Sequence, residues 1–365
     1  MAILWAGWVL IRGGSWWGPL HAFLAGTVLL AISGATQMFT ITWSAAPAPR
    51  AGLATGQRWA VAGGVALVLA GVGAMSRWVV AVGVGLVVAG IVLLVVSLVG
   101  AVRRSLLRRF DLSARFYILA LAAGMGGVVL GGLMGWSGPG AYPRMRLVHS
   151  HLNLVGLVGF TIVGTLPTIL PTFAHHKAVS GKEARVGWWV AIVSSLAIAA
   201  GLVWGRPVVG AGTILAGVSL LLILIGILGR LGKRGLESGL PYLQVVIGCV
   251  WLAGWALVDG GRLLVDVAPE PFAPLTGAVA TAGVGQVLLG SLAYLVPVLA
   301  GPPPRLGRNL ERTHRRPWLP LIMANIAGIA FVTGFPAVAT GAVAVWVLDF
   351  ALRLGRMEWR DHRVD

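Results

Sequence analysis

The sequence predicts an all-α, polytopic integral membrane protein of eleven or twelve transmembrane helices, and three observations carry that prediction. Of its residues 58% are hydrophobic and 11% charged, with a mean hydropathy of +0.89, whereas soluble domains are about 25% charged. Apolar runs long enough to cross a bilayer, about 20 residues each, recur along the whole chain, so the first is not read as a cleaved leader. The basic residues, finally, alternate between successive connections.

On the crossing-length criterion, segments fall at roughly 20–43, 58–75, 78–101, 115–136, 147–170, 187–205, 207–228, 241–264, 274–299, 317–334 and 336–354. Residues Met1 to Ile11 are apolar but too short to span. They read as a half-helix or the remnant of a twelfth crossing.

Labelling the connections alternately places Arg12, Arg77, Arg144, Arg146, Arg206 and Arg262 on one side. The other 22 of the 28 lysines and arginines lie on the opposite side, in clusters such as Arg103–Arg115 and Arg305–Arg316. A missed helix would scramble this split. Basic loops stay in the cytoplasm, so the expectation is a multi-pass protein of the plasma (inner) membrane with a cytoplasmic C-terminus.

The net charge of +17 does not point to nucleic acid, because the basic residues sit in short clusters between apolar segments and form no recognition motif. The expected partner is the lipid bilayer. The single cysteine, Cys249, can form no intrachain disulfide and no CxxC metal site.

Three segments resemble one another. His21 is followed by Gly26 and Gly34, and His151 by Gly156 and Gly164, at the same offsets. The stretch from Gly164 to Pro171 then matches Gly290 to Pro297. These helices are four segments apart, which reads as three four-helix units within one transmembrane domain, at approximately 12–113, 114–240 and 241–365.

The first, fifth and ninth segments also hold much of the intramembrane polarity, including Gln37, His149, Asn153 and Gln286. The second, third and seventh are nearly pure aliphatic. Polar groups are costly in hydrocarbon, so the polar three are expected inside and the bland ones against lipid. Ala123, Gly127, Gly131 and Gly135 form a small-residue stripe that lets a neighbouring helix approach.

Only His21, His149 and His151 lie at membrane depth, near the outer ends of their helices. Imidazole is a good ligand for iron and copper, and Met145, one turn before His149, adds a soft thioether. His149, Asn153 and Gly156 share a helical face and His151 points elsewhere. Arg144, Arg146 and Arg262 are expected at the same level, where guanidinium groups pair with carboxylates such as haem propionates. The candidate site is therefore His21, His149, His151 and Met145 as metal ligands, with the three arginines around a haem b, a copper ion or both.

His175 and His176 read as an exposed loop pair, and His314 and His362 as solvated. Asp259 with Arg262, and Asp349 with Arg353, read as charge-neutralising pairs. No Walker loop, dinucleotide fingerprint or nucleophile–base pairing is present.

Three four-helix arcs with histidines on the inner helices resemble the catalytic subunit of haem-copper oxidases. The pattern is also similar to the NnrS-like group of haem- and copper-associated membrane proteins. The run from His149 to Pro171 resembles the membrane domain fused to some bacterial multicopper oxidases, here without a cupredoxin domain. The resemblance implies a scaffold that binds haem or copper, with His21 at a haem-ligand position and His149 or His151 at a copper-ligand position. It also implies a separate redox or cupredoxin partner.

The chain departs from the oxidases where it matters. The helix that would carry their haem ligands has no histidine, and the three-histidine copper centre cannot be assembled. Oxygen reduction by their mechanism is not expected. The function expected is haem or copper binding in redox, nitric-oxide or copper handling. The alternatives are a small-solute transporter or channel lined by the polar inner helices, and a structural subunit whose site has decayed.

Overall fold

The computed structural model describes residues 5, 6, 9, 15–105, 111–177, 181–233, 239–265, 273–300, 303–314 and 317–359. Most of Met1 to Ile11, together with Arg12 and His362, lies outside these residues. The described residues are helical with no strand.

The crossings are α1 (Trp17–Ser44), α2 (Ala51–Gly73), α3 (Arg77–Arg103), α4 (Asp111–Trp136), α5 (Tyr142–Phe173), α6 (Lys182–Trp204), α7 (Arg206–Leu231), α8 (Leu240–Leu264) and α9 (Leu275–Ala300). A short helix α10 (Leu306–His314) precedes α11 (Trp318–Val332) and α12 (Pro336–Gly355). Ten of these are long and apolar enough to span a membrane, and α11, of 15 residues, is shorter. Every segment expected from the sequence is a helix. The chain is an all-α polytopic membrane protein.

Glycine explains how the helices pack. A Cβ placed on Gly64 of α2 would lie 2.7 Å from the Gly83 carbonyl oxygen of α3, and the reverse contact is equally short. Backbones that touch in this way gain dispersion energy, the main attraction between helices in lipid. Hydroxyls add to the α6–α7 contact: Ser194 donates to the Gly212 carbonyl at 2.7 Å and Ser219 to that of Gly187 at 2.9 Å. Between α8 and α11, the Trp251 indole N–H donates to Asn325 Oδ1 at 2.8 Å.

Helix α5 is the centre of the molecule, with 89% of its most apolar stretch buried, and it touches α4, α6, α7, α8 and α9. Helices α2 and α3 face outward, as their aliphatic composition suggests; Trp59, Val82, Val92 and Val96 are exposed. The inner-and-outer expectation needs correcting elsewhere. Bland α7 is 56% buried over its most apolar stretch, against 33% for polar α1. Polarity does not report close packing, and α7 is enclosed through Gly210, Gly212 and Gly217.

Helices α1, α5 and α9 each contain a π-helical stretch, at Ala22–Val28, Leu152–Gly159 and Val279–Gly285. The first two begin directly after His21 and His151, and the third after Ala278. Such widened turns are rare and concentrate at functional sites.

Candidate functional site

His21 lies four residues into α1 and His149 seven residues into α5, at the corresponding ends of the two helices. Their rings are nearly parallel, 10° between planes, with centroids 6.3 Å apart. The Trp17 indole also stacks on His21, with ring centroids 4.2 Å apart.

Both rings are held in one tautomer. His21 Nδ1 is 2.8 Å from the Trp17 carbonyl oxygen and His149 Nδ1 is 2.7 Å from that of Gly127. A carbonyl only accepts, so each Nδ1 carries the proton and donates. In the neutral ring Nε2 is then a bare lone pair, the arrangement that second-shell carbonyls impose on metal-binding histidines.

Helix α4 builds the floor. The Asn153 side chain packs on Gly127 and donates to the His149 carbonyl at 2.8 Å, while the His149 ring lies on Gly131. The small-residue stripe thus seats the very face, His149 with Asn153 and Gly156, that the sequence aligns.

His151 is elsewhere. It is 5% exposed and faces α8, where Nε2 meets Asp259 Oδ2 at 2.8 Å and Nδ1 meets the Leu147 carbonyl at 2.8 Å. Its ring lies 5.9 Å from that of Trp255. Both of its nitrogens are occupied, so it offers no lone pair to a metal in this arrangement. Asp259 therefore pairs with His151 and not with Arg262, because α5 presents the imidazole across a helix contact that sequence spacing cannot reveal. The Asp349–Arg353 pair is formed, at 2.6 Å.

Met145 lies half-buried one turn before His149, and Arg144 and Arg146 are exposed on the same helix end. Arg262 is half-buried on α8. Among the described residues no group of three or more His, Cys, Asp or Glu side chains gathers as for a metal. The candidate site at His21 and His149 thus offers two imidazoles.

His175 and His176 are exposed after α5, as expected. His314 is not solvated: α10 folds against α9, and burial beside the Arg353 guanidinium pushes its pKa from 6.5 down to about 4, partly opposed by a bond to the Ala293 backbone.

Sequence reasoning missed the contributions of Trp17 and the Gly127 carbonyl. Trp17 had a signal, its i,i+4 spacing to His21; the carbonyl had none. No family model and no curated protein matches the chain.

Proposed function

We propose that the protein binds haem or copper between His21 and His149, and serves in redox, nitric-oxide or copper handling. The observation that supports this best is the pair of near-parallel imidazoles, each with Nδ1 committed to a backbone carbonyl. Two neutral imidazoles suit haem iron or copper. Either one would supply one-electron chemistry. The arginine-bearing end of α5 is where haem propionates would find Arg144 and Arg146, with Arg262 on α8 as a third candidate.

The finer claims belong to the same proposal. A cytoplasmic C-terminus is supported by the 22-to-6 split of basic residues. Three parallel units are supported by the recurrence of π-helical turns in α1, α5 and α9. The likeness to haem-copper oxidase subunits and to NnrS-like proteins rests on the helix order and the His149–Pro171 run. A redox or cupredoxin partner would be needed to exchange electrons.

One observation favours a second reading, a path for a small polar solute. Buried polar atoms of Gln37, Thr40, Gln57 and Ser97, on α1 to α3, have no hydrogen-bond partner among the described residues. Absorption spectroscopy with metal analysis on the purified protein separates the two. The cofactor reading expects a Soret band or stoichiometric copper. The transport reading expects colourless, metal-free protein stabilised by its solute.

A further inference from the structure

At the other end of the molecule, where α9, α10 and α12 meet, three guanidinium groups converge on one carboxylate. Glu358 lies 2.8 Å from Arg305, 3.0 Å from Arg312 and 3.8 Å from Arg308. Its backbone is fixed on α10 from both sides: Asn309 Nδ2 donates to the Glu358 carbonyl at 3.0 Å, and the Glu358 N–H donates to Asn309 Oδ1 at 3.1 Å. Arg312 also donates to the Arg356 carbonyl at 3.1 Å. The tail after α12 is thereby strapped across the short helix.

Three cations around one anion leave a surplus of positive charge, and all three arginine side chains remain 40–62% exposed. Asn309 and Thr313 of α10 are buried while Arg308 and Arg312 are exposed, so the helix turns these two arginines outward. Exposed Trp318 and Trp359 lie close in sequence on either side of the strap. Tryptophan concentrates at the headgroup level of a bilayer, and basic residues beside membrane helices there attract anionic lipid.

We propose that Arg305, Arg308 and Arg312 form a binding site for the phosphate headgroup of an anionic phospholipid, with the Glu358 carboxylate as a built-in competitor. The carboxylate marks where an anion sits, and the remaining charge recruits a lipid headgroup beside it. This proposal is independent of any cofactor.

The test compares phosphatidylglycerol, phosphatidylcholine of the same chains and inorganic phosphate, each added to the detergent-solubilised full chain. Lipid retention is read by native mass spectrometry and thermal midpoint by calorimetry. Phosphatidylglycerol should be retained and raise the midpoint, and phosphatidylcholine and phosphate should do neither. The triple variant R305Q/R308Q/R312Q should lose that preference. E358Q should bind about fivefold more tightly and R308Q about fivefold more weakly, the effect of one charge at an anionic surface. R77Q, at the opposite end of the molecule, should match wild type.

R308Q leaves the strap's shorter contacts in place, so it decides the matter if the triple variant does not fold. Equal phosphatidylglycerol binding by R308Q and wild type would overturn the proposal. So would stabilisation by phosphate alone, or an equal loss in R77Q.

Discussion

The imidazole of His149 rests on Gly131: a Cβ at that glycine would lie 2.8 Å from Cε1 and 2.9 Å from Nδ1. The glycine is thus part of the candidate site, since it fixes how far the ring can approach α4 and the Gly127 carbonyl. Leucine at position 131 must displace the ring and part the helices, an overpacking cost of about 3 kcal/mol. Val92 is 44% exposed on α3, and leucine there should cost nothing measurable. The yield and melting temperature of purified G131L and V92L check this, and equal values would contradict the packing account. G131A should fold yet hold less cofactor than wild type.

The His151–Asp259 pair ties α5 to α8. Removing one partner strands the other in a largely buried setting, at a cost of about 3 kcal/mol. D259A and H151A should therefore each lower stability, and the double variant should cost less than the two singles added together. Thermal unfolding of the four proteins measures the coupling. Strictly additive losses would mean that the pair contributes nothing. Neither single variant should change the spectrum of a cofactor held at His21 and His149.

His314 gives a pH dependence of defined sign. Burial and Arg353 hold its pKa near 4 in the folded protein, against 6.5 for an ordinary histidine. The unfolded chain thus takes up this proton first as pH falls, and stability drops between about pH 6.5 and pH 4. Above that window the group contributes no slope. His314→Gln should melt with a shallower pH dependence than wild type between pH 7 and pH 4.5, and an identical slope in both would contradict the assignment.

Orientation is checked with single cysteines at Gly138 and Gly307 in a variant lacking Cys249. The alternation of basic residues expects an impermeant thiol reagent to label Gly138→Cys on intact cells and to spare Gly307→Cys. Equal labelling would contradict the arrangement.

The helices were legible because a membrane span is written in composition and length. Each segment read from hydropathy coincides with a helix to within a few residues, apart from the earlier start of α2 at Ala51. The shared face of His149, Asn153 and Gly156 was legible too, since helical periodicity alone fixes it. Which histidine meets His21 was not. His149 and His151 are two residues apart and equally plausible by depth, and the choice depends on the neighbours each face meets: α4 glycines for His149, Asp259 of α8 for His151. Those contacts join residues up to 108 positions apart, and a single sequence carries no record of them. The burial of α7 escaped for a related reason, because glycine packing leaves no polar trace.

The central claim is that His21 and His149 jointly hold a cofactor while His151 does not. The decisive measurement is the haem and copper content per chain of wild type, H21A, H149A and H151A, each expressed with ample haem and copper and shown to be folded. The account predicts stoichiometric cofactor in wild type, its loss or a shifted spectrum in both H21A and H149A, and its retention in H151A. Wild-type protein that holds neither haem nor copper, or H149A that keeps its cofactor unchanged, would contradict it.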